Sequence, residues 1–328
     1  MTTQRGTQLE WILFVILGFF WGSSYLFIKI GVDAGLTPFT LVMLRLFFGL
    51  ALLASVVRIA REPLPREARM YGHLIVMAAF NIVIPFSLIT WAEQTVDSAL
   101  AATLNSAVPL FVIVIAAIFL RDERITLNRL AGLLVGFVGV AILVGFDPAT
   151  LTSGNFGGEI ALIGATISYA IGAVYARRNI RGLRPMIPAL FQVGFAFAIA
   201  AVLAFVFERP LTVFGAMTPT SLFAVVWLGL LGSGLAYLVF FRILAVWGAT
   251  RTSMVAYLLP VYGIALGALV LHENVDQRLL VGTLLVIGGV ALVNSRYGAR
   301  PLFQRGPTNA VPASTAEPTV NAEPAKPR

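Results

Sequence analysis

Gly18, Gly22, Tyr25 and Lys29 recur at helical spacing and so share one stripe of a helix, with Trp21 beside it. An aromatic face, a phenol and an ammonium along one stripe could hold a carboxylate or another anion. Lys29 is the only lysine before the last few residues of the chain. Two other uses fit it as well: reaching along its stem to a membrane surface, or pairing structurally with Glu93 or Asp97. Arg45 lies deeper in the next apolar stretch, where a guanidinium needs partners. Glu93, Asp97 and the carbonyls freed by Pro109 are the candidates, and a structural pairing is expected. Asn81 and Asn105, the latter one turn before Pro109, either join helices through their amides or hold a polar solute. Pro85, Pro109 and Pro260 each delete a backbone hydrogen bond, making a hinge or a static kink. Tyr169, Trp227, Tyr237, Tyr257 and Tyr262 carry polar tips inside apolar stretches, where they line a cavity or pack helices.

The rest of the chemistry is sparse. Cysteine is absent, so disulfides and thiolate metal sites are excluded. The two histidines, His73 and His272, are far apart. No glycine-rich run ends in Lys-Ser or Lys-Thr, so no P-loop is present and direct ATP drive is not expected. All 15 carboxylates fall in connections, at the ends of apolar stretches or in the C-terminal segment. A proton relay deep in the membrane is therefore not expected, Glu93 being its nearest substitute. Proton coupling stays open, and a tightly held cation is disfavoured. No clustered acid, base, nucleophile or metal-ligand set appears, so neither an enzyme nor a cofactor or metal is expected.

The elements that must position these residues follow from composition. The 328 residues are 59% hydrophobic and 12% charged, where a soluble domain would carry about 25% charge. A bilayer crossing takes roughly 20 apolar residues. Ten such stretches are read at 11–30, 38–58, 71–91, 97–120, 127–145, 158–177, 186–207, 218–242, 248–271 and 276–294. The expected fold is an all-α polytopic membrane protein. Basic residues fill alternate connections: with the N-terminus in the cytoplasm, 19 of 23 face inward. Both termini are then cytoplasmic, and the net charge of +8 reflects orientation rather than nucleic-acid binding. The first stretch lacks a small-residue cleavage site and reads as retained. Residues 299–328, rich in Pro, Ala, Thr and Asn, read as a disordered cytoplasmic tail.

The two halves repeat. LNSAVPLFVIVIAAIFLRDE at 104–123 parallels AYLLPVYGIALGALVLHE at 256–273, setting Pro109 on Pro260 and Glu123 on Glu273. AGLLVGFVGVAILV at 131–144 parallels VGTLLVIGGVALVN at 281–294, and Trp21 falls on Tyr169. Five crossings per unit is odd, so the second copy is inverted, and such repeats place a solute path at their interface near the midplane. The spaced glycines Gly132 with Gly136 and Gly263 with Gly267 read as close helix packing. The division expected is a cytoplasmic N-terminus (1–10), a first repeat (11–145), a connecting loop (146–157), a second repeat (158–294) and the tail from 295.

WGSSYLFIKIG at 21–31, the stretch from Pro38 to Arg45, the run from Ala99 through Pro109 to Glu123 and the glycine-rich fifth crossing together resemble one EamA domain. Residues 158–294 resemble a second. The second half departs from the pattern where Gln192 stands on Arg45 and Arg177 on Lys29. The resemblance implies the drug/metabolite transporter superfamily, with ten helices in two inverted repeats. It implies an exporter in the inner membrane, working by alternating access on a small-molecule substrate. Amino acids, aromatic or neutral, are the expected substrates. A multidrug or quaternary-ammonium exporter is the alternative, and a non-transporting scaffold or receptor is the alternative of another class. On this expectation Trp21, Tyr25, Lys29, Asn81, Asn105, Tyr169, Trp227, Tyr237 and Tyr257 bind substrate, and Pro85, Pro109 and Pro260 gate. The oligomeric state is not specified.

Overall fold

The computed structural model describes residues 8–61, 67–119, 126–144, 154–180 and 186–295. Helices α1 (Gln8–Asp33) and α2 (Pro38–Ala60) are unbroken. The third crossing joins α3 (Ala68–Ala78), a π-helical turn (Ala79–Val83) and α4 (Ile84–Ala92). The fourth joins α5 (Ser98–Asn105) and α6 (Val108–Phe119), and α7 (Leu127–Val144) ends the first half. The second half runs through α8 (Gly154–Asn179), α9 (Met186–Phe207), a short α10 (Pro210–Gly215) and α11 (Pro219–Trp227). A second π-helical turn (Leu228–Leu235) leads into α12 (Ala236–Thr252), and a 3-10 turn (Ser253–Tyr257) into α13 (Leu258–Val270) and α14 (Gln277–Asn294).

Among the described residues nine helices are long and apolar enough to cross a bilayer, and Met254–Val270 is a shorter apolar tenth. The protein is an all-α polytopic membrane protein of two five-helix repeats. One boundary differs from expectation: the connection expected at 243–247 is helical, and α12 runs through it to Thr252. Ile243-Leu244-Ala245-Val246-Trp247 contains no glycine or proline to stop a helix. Glu123, the connections around Pro63 and Asp147, and the tail lie outside the described residues.

Helix packing repeats as the sequence does. α7 packs on α14, α2 on α9 and α5 on α13, each crossing against its counterpart. The first crossing packs on the eighth as the third packs on the sixth. Irregular turns repeat too. The π turns begin at Ala79 and Leu228, and each closes with a bond one residue longer than an α-helix makes: Ile84 N–H to Ala79 O, and Ala236 N–H to Leu231 O.

Glycines set the closest approach. A Cβ on Gly132 would stand 2.6 Å from Gly289 O, and one on Gly139 would stand 2.9 Å from Gly282 O. Here α7 and α14 meet backbone to backbone, the small-residue packing that membranes favour.

Two carboxylates tie the halves together at helix N-termini, whose free N–H groups attract negative charge. Glu208, just after α9, accepts from Phe39 N (2.9 Å), Thr40 N (2.8 Å), Thr37 Oγ1 (2.5 Å) and Thr40 Oγ1 (2.7 Å) at the start of α2. Glu273 accepts from Ser98 N (2.8 Å) and Ala99 N (3.0 Å) at the start of α5. Glu208→Ala is expected to cost about 2–3 kcal/mol, a lost cap plus charge-assisted bonds. The melting temperature in detergent measures it. Glu208→Gln should recover part of the loss, because the amide oxygen still accepts.

Candidate functional site

Pro109 has no N–H to offer the carbonyl of Asn105, so the helix loosens there: α5 ends at Asn105 and α6 starts at Val108. That break turns Asn105 toward α1. Its Nδ2 donates to Tyr25 Oη at 2.5 Å, both residues are buried, and Asn105 Oδ1 has no partner. Tyr257 stands at the corresponding irregularity in the other half, three residues before Pro260, and its Oη accepts from Asn294 Nδ2 at 3.1 Å.

Asn81 sits in the first π turn and donates to Gln192 Oε1 of α9 at 3.2 Å. Gln192 Nε2 in turn donates to Pro188 O at 3.1 Å. Gly172 of α8 leaves room for this amide, since a Cβ there would collide with it. On the other flank Trp227 Nε1 donates to Ser23 Oγ at 3.2 Å, and its ring lies 4.7 Å from that of Phe27. Trp21 packs on Phe240 (5.4 Å) and edge-on to Tyr237 (6.4 Å).

Arg45 is only 3% exposed. It does not take the carboxylate or carbonyl partners expected for it. Its Nε donates to Ser233 Oγ in the second π turn (3.3 Å), and its guanidinium lies 4.1 Å above the Phe86 ring of α4. Tyr169, Tyr237 and Tyr25, and after them Glu93, are near enough to its guanidinium to act on it electrostatically.

The structure thus gathers Tyr25, Asn105, Tyr169, Tyr237 and Arg45, from five crossings and both halves, with Trp21 and Trp227 on the flanks. Asn81 and Tyr257 each have a partner of their own. Lys29 stands toward the end of α1: its Nζ donates to the main-chain O of Glu93 (2.9 Å) and lies 3.4 Å from Asp33 Oδ1. Tyr262 is a packing residue, its ring edge-on to Phe19 at 5.5 Å and its Cβ seated where Gly22 lacks one. Pro85 lies two residues after the first π turn, at the second position of α4. Ser23, Phe86, Gln192 and Ser233 are the partners that sequence reading missed. For Ser233 a signal existed, in the crowding of Gly229, Gly232 and Gly234 around it.

Just beyond α4 the Glu93 side chain is fully buried, and neither carboxyl oxygen has a hydrogen-bond partner. Burial, then the charge of Glu273, pushes its carboxyl well above the ordinary range, against the opposing pull of Lys29 and Arg45. Burial raises Asp97 as well, again with Glu273 second.

Buried polar groups shared between two repeats fit a membrane carrier. The chain is 24% identical over 280 residues to the uncharacterized transporter YoaV of Bacillus subtilis, covering 85% of this chain and 94% of that one. It is 25% identical over 292 residues to the protein PecM of Dickeya dadantii, covering 87% and 94%. A solved crystal structure superposes with a TM-score of 0.61 at 21% identity, over 88% of this chain and 96% of the other, a likeness of fold. The model of the EamA-like transporter family matches residues 9–145 and again 156–295. With both five-helix units matched, the chain belongs to the EamA-like transporter family of the drug/metabolite transporter superfamily.

Proposed function

We propose that the chain exports a small metabolite, an amino acid of aromatic or neutral type, by alternating access around the cluster of Tyr25, Asn105, Tyr169, Tyr237 and Arg45. The observation that carries this reading is the cluster's place: polar groups from both repeats meet inside apolar helices, beside irregular turns that recur in each half. Intramembrane polar groups are costly and mark solute pathways. Trp21 and Trp227 extend the lining, Asn81 and Tyr257 flank it, and Lys29 stands at its outer end. Pro85, Pro109 and Pro260 supply the bending points. On this reading both termini are cytoplasmic, the membrane is the inner one, and proton coupling, if used, runs through Glu93.

The test is counterflow in liposomes holding the purified protein, with labelled neutral, aromatic and basic amino acids and a quaternary ammonium, with and without a pH gradient. Accumulation of an aromatic or neutral amino acid is expected. Tyr25→Phe deletes only the hydroxyl held by Asn105 and should cut that flux about ten-fold, the worth of one good polar contact. Preference for the quaternary ammonium would instead favour a multidrug exporter. No flux of any compound through folded protein would sink the transport reading and favour a scaffold.

A further inference from the structure

We propose that Arg45 is the anion-binding anchor of the central site, so that the solutes it takes carry a carboxylate or a similarly compact anionic group. This rests on the transport reading above and names the substrate class for it.

Arg45 is always charged at neutral pH, and burial of a charge without a counter-charge is strongly unfavourable. Among the described residues no carboxylate stands within ion-pair distance of its guanidinium. The ion pairs formed among the described residues are elsewhere: Asp33 with Lys29, Glu10 with Arg242 and Glu159 with Arg278. Glu93, the one carboxyl close enough to act on it, is held well above the ordinary carboxylate range by burial and so is a weak counter-ion. What Arg45 does have is neutral: the Phe86 face below it and one bond from Nε to Ser233. Among the described residues the Nη side of the fork makes no hydrogen bond. Gly232 lies alongside: a Cβ there would stand 3.6 Å from Nη2, in ordinary contact, and 2.8 Å from Ser24 Oγ.

The surroundings suit a solute's anion. Tyr25, Tyr169 and Tyr237 bring hydroxyl donors, and a planar fork pairs with a carboxylate through two parallel bonds. Asn105 Oδ1, buried and without a partner, adds an acceptor held next to Tyr25. A zwitterion's ammonium would find it there, and a simple cation would meet Arg45 with the wrong sign.

The experiment uses the full-length protein in detergent and three probes of matched shape: 3-phenylpropionate (anion), phenylalanine (zwitterion) and 2-phenylethylamine (cation), at constant ionic strength. Thermal unfolding is followed by tryptophan fluorescence. A saturable rise in melting temperature is expected with the first two and none with the amine. Arg45→Gln should abolish the rise. Arg45→Lys, which keeps a point charge without the fork, should need about ten-fold more ligand. Glu208→Ala, destabilised at the start of α2 and away from Arg45, should keep the rise, which guards against a variant that merely folds badly. Equal stabilisation by the amine, a full rise in Arg45→Gln, or no saturable rise with either carboxylate would each overturn the proposal. Counterflow separates the two readings. Flux of the amine alone keeps transport and sinks the anchor; Arg45-dependent stabilisation without flux of any probe keeps the anchor and sinks transport.

Discussion

Gly289→Leu is expected to prevent stable folding, while Gly288→Leu one residue away leaves the protein intact. A Cβ at position 289 would lie 2.6 Å from Gly136 Cα and 2.7 Å from Gly132 O, and these are backbone atoms that cannot turn aside. To admit leucine, α14 must lift off α7, and the glycine seam along Gly132, Gly136, Gly139 and Gly282 opens with it. Inserting atoms into a tight core costs about 1–3 kcal/mol where side chains can adjust. Two backbones pushed apart should cost more, on the order of the whole stability of a marginal protein. Gly288 is exposed and has no atom within 4 Å of its would-be Cβ. Leucine there meets lipid and gains helix propensity over glycine, roughly 0.5–1 kcal/mol. Size-exclusion profiles and melting temperatures of the two variants in detergent decide it. Similar behaviour of both would mean that α7 and α14 do not meet as closely as described.

The second large effect is on pH. Glu93 has its carboxyl raised above the ordinary value of 4.5 by burial first and by Glu273 second, with Asp33 adding and Lys29 and Arg45 opposing. The folded protein therefore keeps a proton that the unfolded chain loses above 4.5. The stability Glu93 contributes is fully present below that value and is lost as pH rises through its folded value. The slope reaches about 1.4 kcal/mol per pH unit between the two. Asp97 acts in the same direction. Melting temperature should fall as pH rises from 4.5 to 8.5, and Glu93→Gln, a neutral isostere of the protonated acid, should remove most of the fall. An undiminished fall in that variant would assign the titration to another group.

The ten crossings were legible because a bilayer demands long apolar runs, and that signal is local. The ends of α2, α9 and α14 fall within two residues of those expected. Proline positions were legible for the same reason, since a missing N–H acts within its own helix. Partner choice was not. Arg45 meets Ser233 across 188 residues, and Asn81 meets Gln192 across 111. Such pairings depend on how far each helix is rotated, and one residue of rotation turns a side chain by about 100°. The π turns were invisible because tertiary packing, rather than propensity, decides between an i→i−4 and an i→i−5 bond. Lys29 shows the limit well: its neighbour at Glu93 was foreseeable, yet it takes the main-chain oxygen and leaves the carboxylate alone.

The inverted repeat has a consequence for direction. Were the two halves identical, turning the molecule over would return the same molecule, and its inward- and outward-facing forms would have equal free energy. Each would be half populated in the absence of a gradient. Only unlike residues at matched positions can lift that degeneracy, such as Arg45 against Gln192, or Lys29 against Arg177. On the proposed alternating-access mechanism, such pairs would set which way the resting carrier faces, and the solute gradient which way it runs.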